Sequence, residues 1–489
     1  MAVASSRAQA APRVGARPRA AAPPRRAAPR SATRAKAAAA GAAAASAAKQ
    51  ATVENVGVSG TGVRIDALAV DALPALDDAA ADSPGGVTFA EALFNSVNIL
   101  MGVGLLSVPF ALKEGGWAAL GVLLALGATT NYTGKLLMRC QEVNVVPLGA
   151  SKAERREALR VTTPLQTYED IGEAAFGARG RQFIQWVLYT ELVGTCSLFY
   201  ILEADHLELL FGSPVIAREV FTAVSFLLFT PTLWLSDLSG LAYVGLAGVV
   251  SSLGVAGLTT YDFVVGHGAQ VAETTAAAHI AALPVTFGMI AFVFAGHAVF
   301  PSIYSSMEQP EEYDEVLDLT YVIVGVVSLL IGGCGYAAYG AGSLEEVTLN
   351  LPAGPLAAAA ASLVLVNPFA KFALTLDPVS KQVEKVLDIS NRAGSPTKPL
   401  AVATRTSLSM ACLVLATSVP SFSYCMSVCG SFLTMTVSLI FPSLCYLKLY
   451  DKQLGAPERA LNWGIVAVGG AASVFGTWSA LQAIADATA

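Results

Sequence analysis

Charged residues are scarce in this chain, where they make up 13% of the sequence, about half of their usual share in soluble proteins. Hydrophobic residues make up 54% of its 489 residues. Many of them lie in runs that are long enough to cross a bilayer, which takes about 20 residues in a helix. The composition therefore excludes an ordinary soluble domain and indicates an all-α integral membrane protein with several crossings.

Motifs of nucleotide-driven and enzymatic sites are also absent. The chain has no GxxxxGK[ST] phosphate loop, so nothing indicates an ATP-driven pump. It has no HExxH, GxSxG or paired CxxC pattern, and no nucleophile–base pair with the spacing that an intramembrane enzyme needs. Its seven cysteines are scattered, and Cys425 and Cys429 share one apolar segment, which indicates buried thiols. We therefore expect no enzyme activity, no cofactor and no metal ion.

Acidic residues are missing from residues 1–50, which contain eight arginines and two lysines among alanine, proline and serine. An arginine-rich, acid-poor start is typical of an organellar transit peptide. A disordered basic tail in the cytosol has the same composition, because such a segment cannot bury a core. Residues 51–86 are acidic and end in Ser-Pro-Gly-Gly, which predicts a disordered linker before a transmembrane domain at 87–485.

Eleven apolar stretches of spanning length follow the linker. We number them as spans 1 to 11, at residues 88–117, 117–137, 182–202, 220–235, 241–265, 283–303, 317–339, 355–376, 400–419, 422–447 and 463–484. Basic residues accumulate on the cytoplasmic side of membrane proteins. With the N-terminus inside, 16 basic residues lie in inward loops, and only Lys113 and Arg218 lie outside. The loop 308–315 is an exception, because it is acidic and faces inward.

Span 1 contains an interruption at mid-depth, where Met101-Gly102-Val103-Gly104 is followed by Pro109. Each glycine costs a helix roughly 1 kcal/mol, and proline removes a backbone donor. Broken backbone at that depth belongs where protein or a water-filled cavity surrounds it. The alternative is that the glycines only allow close helix packing.

Span 6 repeats this pattern, with Ala295-Gly296-His297 at mid-span and Pro301 about one turn later. Broken segments at corresponding positions, five spans apart, predict an inverted five-helix repeat with a substrate site between its halves. The ends of the half-helices offer N–H groups to a carboxylate and C=O groups to an amine or a cation. The second break therefore favours transport over simple packing.

Several segments resemble the amino acid/auxin permease family, and most closely its vacuolar amino acid transporters of plants and fungi. They are FNSVNILMGVGLLSVPFALKEGGW, TYEDIGEAAFG, LYTELVGTCSLFYILEADHL, TLWLSDLSGLAYVG, FAGHAVFPSIYSSM, LNLPAGP, NPFAKFALTLDPVSKQVE and VCGSFLTMTVSLIFPSLCYLK. The resemblance implies eleven helices in a LeuT-like 5+5 inverted repeat, with discontinuous helices 1 and 6. It also implies transport of neutral amino acids, usually driven by protons. The basic tail departs from the long acidic extension of vacuolar members, which leaves vacuole and chloroplast envelope both open.

Three of the ionisable residues within spans are candidates for a functional site, because charge at membrane depth is costly. Glu191 in span 3 is a candidate proton carrier, or a carboxyl bonded to a neighbouring backbone group or tyrosine. His297 titrates in a useful range and can instead cap open carbonyls of the broken helix. Lys371 in span 8 can replace the sodium ion that LeuT-like folds hold between spans 1 and 8, or it can snorkel to the interface. These three are the candidate proton-coupling residues.

Polar side chains on span 1 extend the candidate site, since Asn95 and Asn98 share one helix face. Hydrogen bonds between helices explain them equally well, and the same holds for Ser107. Glu203 and Asp205, at the outer end of span 3, are expected to be solvated. The predicted substrate-binding residues are Asn98, Leu100, Met101, Gly102, Val103, Gly104, Ser107, Phe294, Ala295, Gly296 and His297.

The sequence thus predicts a secondary active transporter that moves small neutral amino acids across an organellar membrane by alternating access. No nucleic acid partner is expected. Its expected partners are the amino acid, protons and the lipid bilayer. An alternative is an amino acid sensor that binds its ligand without net flux. A passive channel fits poorly, because paired broken helices make a site that closes on both sides.

Overall fold

The structure, a computed structural model, describes residues 86–212, 217–234, 242–389, 399–419 and 421–488. The chain divides into Met1–Asp71 and Ala72–Ala489, and all described residues belong to the second unit. The predicted transit peptide at 1–50 lies outside the described residues, and so does the predicted linker at 51–86 except for Gly86. These two predictions remain predictions.

Helices dominate the described residues. An isolated β-bridge among these residues joins Val87 to Met307. We number the longer helices α1 (Phe89–Leu100), α2 (Val108–Gly115), α3 (Ala118–Gln141), α4 (Lys152–Val161), α5 (Tyr168–Phe211), α6 (Arg218–Phe229), α7 (Ala242–Tyr261), α8 (Leu283–Val293), α9 (Phe300–Ser306), α10 (Tyr313–Tyr339), α11 (Pro355–Val386), α12 (Pro399–Ser418), α13 (Phe422–Val428), α14 (Phe441–Leu449) and α15 (Ala456–Thr488). The predicted all-α architecture is confirmed.

Three helices begin with reciprocal capping, which the sequence provides at their first turns. Thr88 caps α1 with Glu91, Ser151 caps α4 with Glu154, and Thr167 caps α5 with Asp170. In each pair the hydroxyl accepts a backbone N–H three residues on, and the carboxylate accepts the N–H of the cap residue. These caps satisfy donors that the helix itself leaves unpaired.

Span 1 is broken where the sequence predicted. Helix α1 ends at Leu100, the backbone becomes extended at Gly102, and a 3-10 turn at Val103–Ser107 leads into α2. The two halves are bent by 46° at this point. Gly116, with φ at 72°, then turns the chain into α3, a conformation that favours glycine.

Span 6 is broken as well. Helix α8 ends at Val293, and α9 begins at Phe300 with Pro301 in its first turn. A proline is tolerated there because its missing N–H would have no helical partner. The residues between the two helices form turns, with Val299 N–H donating to the carbonyl of Gly296 at 3.1 Å. Both predicted discontinuities are therefore present in the structure.

The described residues include seven helical runs that are long and apolar enough to cross a membrane, or eight with the bent pair of span 1. Predicted spans 2, 4 and 6 coincide with α3, α6 and the α8–α9 pair, which are less apolar, shorter or interrupted. The structure therefore supports a protein with several crossings, and the predicted number of eleven is not confirmed.

The helices pack into one main apolar core and expose large apolar side chains around it. Helix α11 packs against α5 and α7, while α8 packs against α2, α13 and α15. Residues such as Leu227, Val474 and Trp478 are exposed on the outside of the bundle. Isolated apolar residues on a surface are ordinary, but a surface this rich in them suits lipid.

Helix α4 was not predicted, and it explains the acidic exception to the charge rule. Its basic residues pair with the loop 308–315 and with the end of α3. Arg155 donates to Glu142 at 2.8 Å and to Asp314 at 3.2 Å, and Arg156 lies 3.2 Å from Glu311. We call this group, together with Lys152, Glu312 and Glu315, the inner cluster. The acids of the loop are thus partners of the basic residues on the same predicted face.

Candidate functional site

The two breaks lie against each other at the centre of the described bundle. A Cβ added to Gly104 would lie 3.2 Å from the Cα of Val293, where α8 ends. A Cβ added to Gly296 would lie 2.6 Å from a side-chain methyl of Leu100, where α1 ends. At Gly104 the backbone of the other break leaves little room for a side chain, whereas at Gly296 the Leu100 side chain fills the space that a larger residue would need.

Both breaks leave main-chain groups without helical partners. The chain leaves helical geometry at Met101 and Gly102, and the 3-10 turn that follows starts with N–H groups that the turn cannot satisfy. The end of α1 correspondingly leaves carbonyl groups open. The site therefore presents donors and acceptors of the backbone at one place, and two side chains from other spans bind part of them.

Lys371 binds the open end of α1. Its Nζ donates to the carbonyl of Asn98 at 2.7 Å and to that of Met101 at 3.3 Å. No carboxylate of the described residues lies within ion-pair distance of this ammonium group. The lysine of span 8 therefore supplies a positive charge to carbonyls at the negative end of a half-helix, and it does not snorkel away.

Three polar side chains surround the same carbonyls. Ser252 of α7 donates to Met101 O at 3.3 Å, and the amide of Asn367 lies 3.5 Å from the Ser252 hydroxyl. The side-chain oxygens of Asn98 and Asn367 are buried without a hydrogen-bond donor among the described residues. Gly248 lies beside both amides, since a Cβ there would approach the Asn98 oxygen to 3.1 Å. These groups can bind a water molecule or a cationic group.

A small cavity adjoins this cluster on the side of spans 5, 7 and 8. Its volume is about 10 Å³, roughly enough for one water molecule. Backbone of the first break forms one wall, and the remaining lining is mostly apolar: Gly102, Val103, Leu105, Leu106, Leu202, Ser251, Ser252, Val255, Ile331, Val364 and Asn367. A bound amino acid would therefore require the helices around it to move apart.

His297 lies in the second break and is fully buried. Its Nε2 is 3.1 Å from the carbonyl of Thr130 and 3.2 Å from the hydroxyl of Thr133, both on α3. Because a carbonyl only accepts, Nε2 carries the proton. Its Nδ1 is buried without a partner among the described residues. The imidazole thus links span 6 to span 2, with one nitrogen free to accept a proton.

Glu191 is buried in α5, where it faces span 10. The hydroxyl of Thr434 donates to its Oε1 at 2.6 Å. Thr434 ends a π-helical stretch at Cys429–Thr434, and a second one follows at Thr436–Ile440. Such stretches are often found at functional sites, because they leave main-chain carbonyls open. Here Tyr168 and Thr133 donate to two of those carbonyls, at Val437 and Ser438.

Other predicted residues have different surroundings from those expected. Ser107 donates to the main-chain carbonyl of Glu345 at 2.5 Å, so its hydroxyl is occupied by a loop contact. Asn95 is exposed, although it shares a helix face with Asn98 in the sequence pattern. Glu203 is 3% exposed, and the prediction of a solvated carboxyl is wrong for it. The reason is that α5 continues to Phe211 and packs further along its length.

Ser252, Asn367 and Thr434 were missed from sequence. Each is a polar residue inside an apolar span, which is a usable signal for Asn367 because it precedes Pro368. Ser252 contacts Met101, Asn367 contacts Ser252, and Thr434 contacts Glu191. These contacts join spans that are far apart in sequence, and no local pattern shows such pairs. The described residues also contain no group of three or more His, Cys, Asp or Glu residues suited to a metal ion.

A family model described as "Transmembrane amino acid transporter protein" matches residues 85–482, which include both breaks and all the residues discussed above. The chain belongs to this family. The transporter is similar to the amino acid transporter AVT1C of Arabidopsis thaliana, with 36% identity over 414 residues, or 82% of this chain and 70% of the relative. The amino acid transporter AVT1B of the same plant is 35% identical over 408 residues, covering 82% of this chain and 72% of the relative.

Solved structures resemble the transporter more remotely. An inward-facing structure of Mhp1 has 12% identity and a TM-score of 0.49, over 81% of this chain and 89% of Mhp1. A substrate-bound, outward-open sodium-coupled sialic acid symporter has 14% identity and a TM-score of 0.46, over 80% of this chain and 88% of the symporter. The family assignment depends on the sequence matches alone. It makes the chain an amino acid transporter of the membrane and not an enzyme.

Proposed function

We propose that the transporter carries small neutral amino acids across an organellar membrane by proton-coupled secondary active transport. It alternates between two open states in a LeuT-like fold of eleven spans, built from two inverted repeats of five. The observation that carries this proposal is the contact between the two broken spans, with Gly104 against Val293 and Gly296 against Leu100. Paired broken helices of this kind form the central substrate sites of secondary transporters.

The amino acid binds to main-chain groups at the two breaks. Open N–H groups at the start of the 3-10 turn bind the α-carboxylate, and open carbonyls bind the α-ammonium group. Among the described residues, the side chains that contact the first break include no carboxylate and one cation, Lys371. A cationic amino acid side chain would find no opposite charge there, and the one cation is already bound to main-chain carbonyls, which together favour neutral substrates.

Lys371 takes the place of a coupling cation between spans 1 and 8. Its ammonium group already supplies a positive charge to the carbonyls of Asn98 and Met101. A second cation at the same carbonyls would be repelled by it. We therefore expect transport without sodium, with protons carried by Glu191, His297 and Lys371 itself.

Two organellar membranes suit the chain. The family resemblance favours the vacuole, whereas the basic, acid-poor residues 1–50 favour the chloroplast envelope. A fusion of these residues to a fluorescent reporter distinguishes the two. Import into plastids supports the chloroplast, and a diffuse cytosolic signal supports the vacuole.

Uptake into proteoliposomes tests the proposed function. The full chain is reconstituted, and accumulation of labelled neutral amino acids is measured with and without a pH difference, in sodium-free buffer. We expect accumulation above equilibrium that disappears when a protonophore removes the gradient. Saturable binding without accumulation would instead support the sensor, and accumulation that requires sodium would contradict the role of Lys371.

The variant Glu191→Gln tests the proton carrier. It keeps the size and the contact with Thr434 but removes the titratable group, so proton-driven uptake should fall about tenfold or more while exchange of amino acid continues. Glu219→Gln is the matched control, since Glu219 is exposed and should leave both activities unchanged. Unaltered driven uptake in Glu191→Gln would rule out the carrier role.

A further inference from the structure

The loop 343–350 joins the predicted outer ends of three spans. The hydroxyl of Ser107 on span 1 donates to the carbonyl of Glu345, and Lys113 of α2 donates to the carbonyl of Ser343 at 3.1 Å. On span 10, the Ser421 hydroxyl and the Ser423 N–H donate to the carboxylate of Glu345. We call this loop the outer clamp, because spans 1 and 10 cannot separate at this end while it stays bound.

Span 3 is joined to the outer clamp through His206. The imidazole Nδ1 lies 2.8 Å from the carbonyl of Leu202, so Nδ1 carries a proton, and Nε2 lies 2.7 Å from the hydroxyl of Thr348. A neutral imidazole satisfies both contacts when Thr348 donates to Nε2. His206, Thr348 and Glu346 are all fully buried. The clamp therefore closes over a site that solvent does not reach.

Glu346 occupies this buried site without adequate partners. Neither of its carboxyl oxygens has a hydrogen-bond donor of good geometry among the described residues. Its Oε2 lies 3.3 Å from Nδ1 of His206, whose N–H already points to the carbonyl of Leu202. A buried carboxylate in this position would lack the hydrogen bonds that it has in water, whereas a protonated carboxyl is neutral and cheaper to bury.

The charges that face Glu346 reinforce this preference. Asp205 and Glu345 repel a negative charge on it, and Arg218 attracts one. Arg218 is engaged by Asp205, at 2.6 Å, and its side chain is half-exposed. Lys113 is directed to the carbonyl of Ser343. Burial, with help from the two carboxylates, raises the pKa of Glu346 well above its usual value.

We propose that the Glu346–His206 pair is a proton-binding site that controls the outer clamp. One proton from the outer solution binds the Glu346 carboxylate as the clamp closes, forming an O–H group. The same proton returns to that solution when the clamp opens and Glu346 is hydrated again. Acid on the outer side thus favours closure of the clamp. This inference rests on the proposed function in one respect, since that function defines which side of the membrane is the outer side.

Hydrogen exchange of the outer clamp tests the proposal on the purified full-length protein, without any transport. The N–H groups of Leu344 and Leu349 are hydrogen-bonded within the clamp, so their exchange reports its opening. Exchange is measured from about pH 5 to about pH 8 and corrected for the intrinsic rate. In the wild type, opening should increase by up to roughly tenfold per pH unit above the transition.

The variant Glu346→Gln should keep the clamp protected at every pH, because its amide stays neutral. Glu219→Gln, an exposed carboxyl on the same predicted face, should behave as the wild type. Glu346→Asp keeps a titratable group and should retain the pH dependence, which covers the case in which the glutamine variant does not fold. Protection independent of pH in the wild type, or equal pH dependence in Glu346→Gln, would overturn the proposal.

Transport separates this inference from the proposed function. Because the proton of Glu346 returns to its own side, a proton gradient should still drive amino acid accumulation in Glu346→Gln, unlike in Glu191→Gln, but more slowly, because the clamp of the variant opens less often. Failure of the wild type to accumulate amino acids would contradict the proposed function and leave the exchange experiment valid. If Glu346→Gln moved fewer protons per amino acid than the wild type, Glu346 would lie on the proton path, and its assignment to the clamp would be overturned.

Discussion

The two predicted faces of the transporter are closed by different chemistry. On the inner face, the carboxylates of the loop 308–315 and of Glu142 pair with Arg155, Arg156 and Lys152. On the outer face, the clamp uses main-chain carbonyls, hydroxyls and a buried carboxyl that forms no ion pair with a lysine or arginine among the described residues. An opposite charge nearby stabilises the ionised form of a group, whereas burial without a partner raises the pKa of a carboxyl, as it does for Glu346. The comparison predicts an inner face that resists pH and an outer face that responds to it.

Removing Arg155 should have the largest effect, because its partner Glu142 is buried. In Arg155→Met the Glu142 carboxylate keeps the hydroxyl of Tyr304 but loses its cation, which should destabilise the fold by about 3–5 kcal/mol. The midpoint of thermal unfolding in detergent measures this. If the free energy of unfolding of the variant stayed within about 1 kcal/mol of the wild type, the inner cluster would behave as ion pairs exposed to water do.

The outer clamp should make stability depend on pH through Glu346. Its pKa is raised in the folded state, so its contribution is complete below the ordinary glutamate pKa of about 4.3 and is lost as pH rises through the raised value. In that window the wild type should lose up to about 1.4 kcal/mol per pH unit relative to Glu346→Gln. Parallel unfolding midpoints of the two proteins across this range would contradict the comparison.

Ser107→Ala should have a smaller effect, because it removes one hydrogen bond of the outer clamp. The carbonyl of Glu345 loses its buried donor at a cost of about 1 kcal/mol, and the clamp should exchange its amide hydrogens faster. Ser362→Ala is the control, since that hydroxyl is exposed and bonds only within its own helix. Unchanged exchange of the loop 343–350 in Ser107→Ala would show that span 1 is held there by other contacts.

Lys152→Met should have the smallest effect of the four. The pair of Lys152 with Glu315 is about half exposed on both sides, at 50% and 54%, so its loss should cost about 0.5 kcal/mol. The same pair should weaken further in high salt, whereas the buried Arg155 contact should not. An effect of Lys152→Met as large as that of Arg155→Met would remove the distinction between exposed and buried members of the inner cluster.

Much of the fold was predictable from local sequence, because span positions depend on apolar length and the breaks depend on glycine and proline. Both interruptions occur at the predicted residues, and Lys371 lies at the span 1 carbonyls where a replacement for a cation was expected. Long-range pairing was not predictable. The acidic loop 308–315 was an unexplained exception until α4 supplied its partners, and the burial of Glu203 depends on how far α5 extends.

The candidate site also has a part that was predictable from sequence and a part that was not. Glycines at the breaks were identified because they interrupt an apolar span, where each lowers helix propensity. Ser107 was assigned to the site although its hydroxyl binds the outer clamp. Ser252 reaches Met101, and Asn367 reaches Ser252, only through the packing of spans 5 and 8 on span 1. A single sequence does not record which helix faces approach each other, so these contacts needed coordinates.

The variant Gly104→Ala tests most directly whether the two breaks hold the substrate. The measurement is exchange of labelled amino acid across the membrane of proteoliposomes without a gradient. A methyl group at Gly104 meets the backbone of Val293 at 3.2 Å and displaces one break from the other, whereas Gly121, with no atom near its Cβ position, provides the control Gly121→Ala. Small displacements of a binding site can cost on the order of tenfold to a hundredfold in rate. We predict that exchange falls by about tenfold or more in Gly104→Ala and is unchanged in Gly121→Ala; equal exchange in the two folded variants would contradict a substrate site at the breaks.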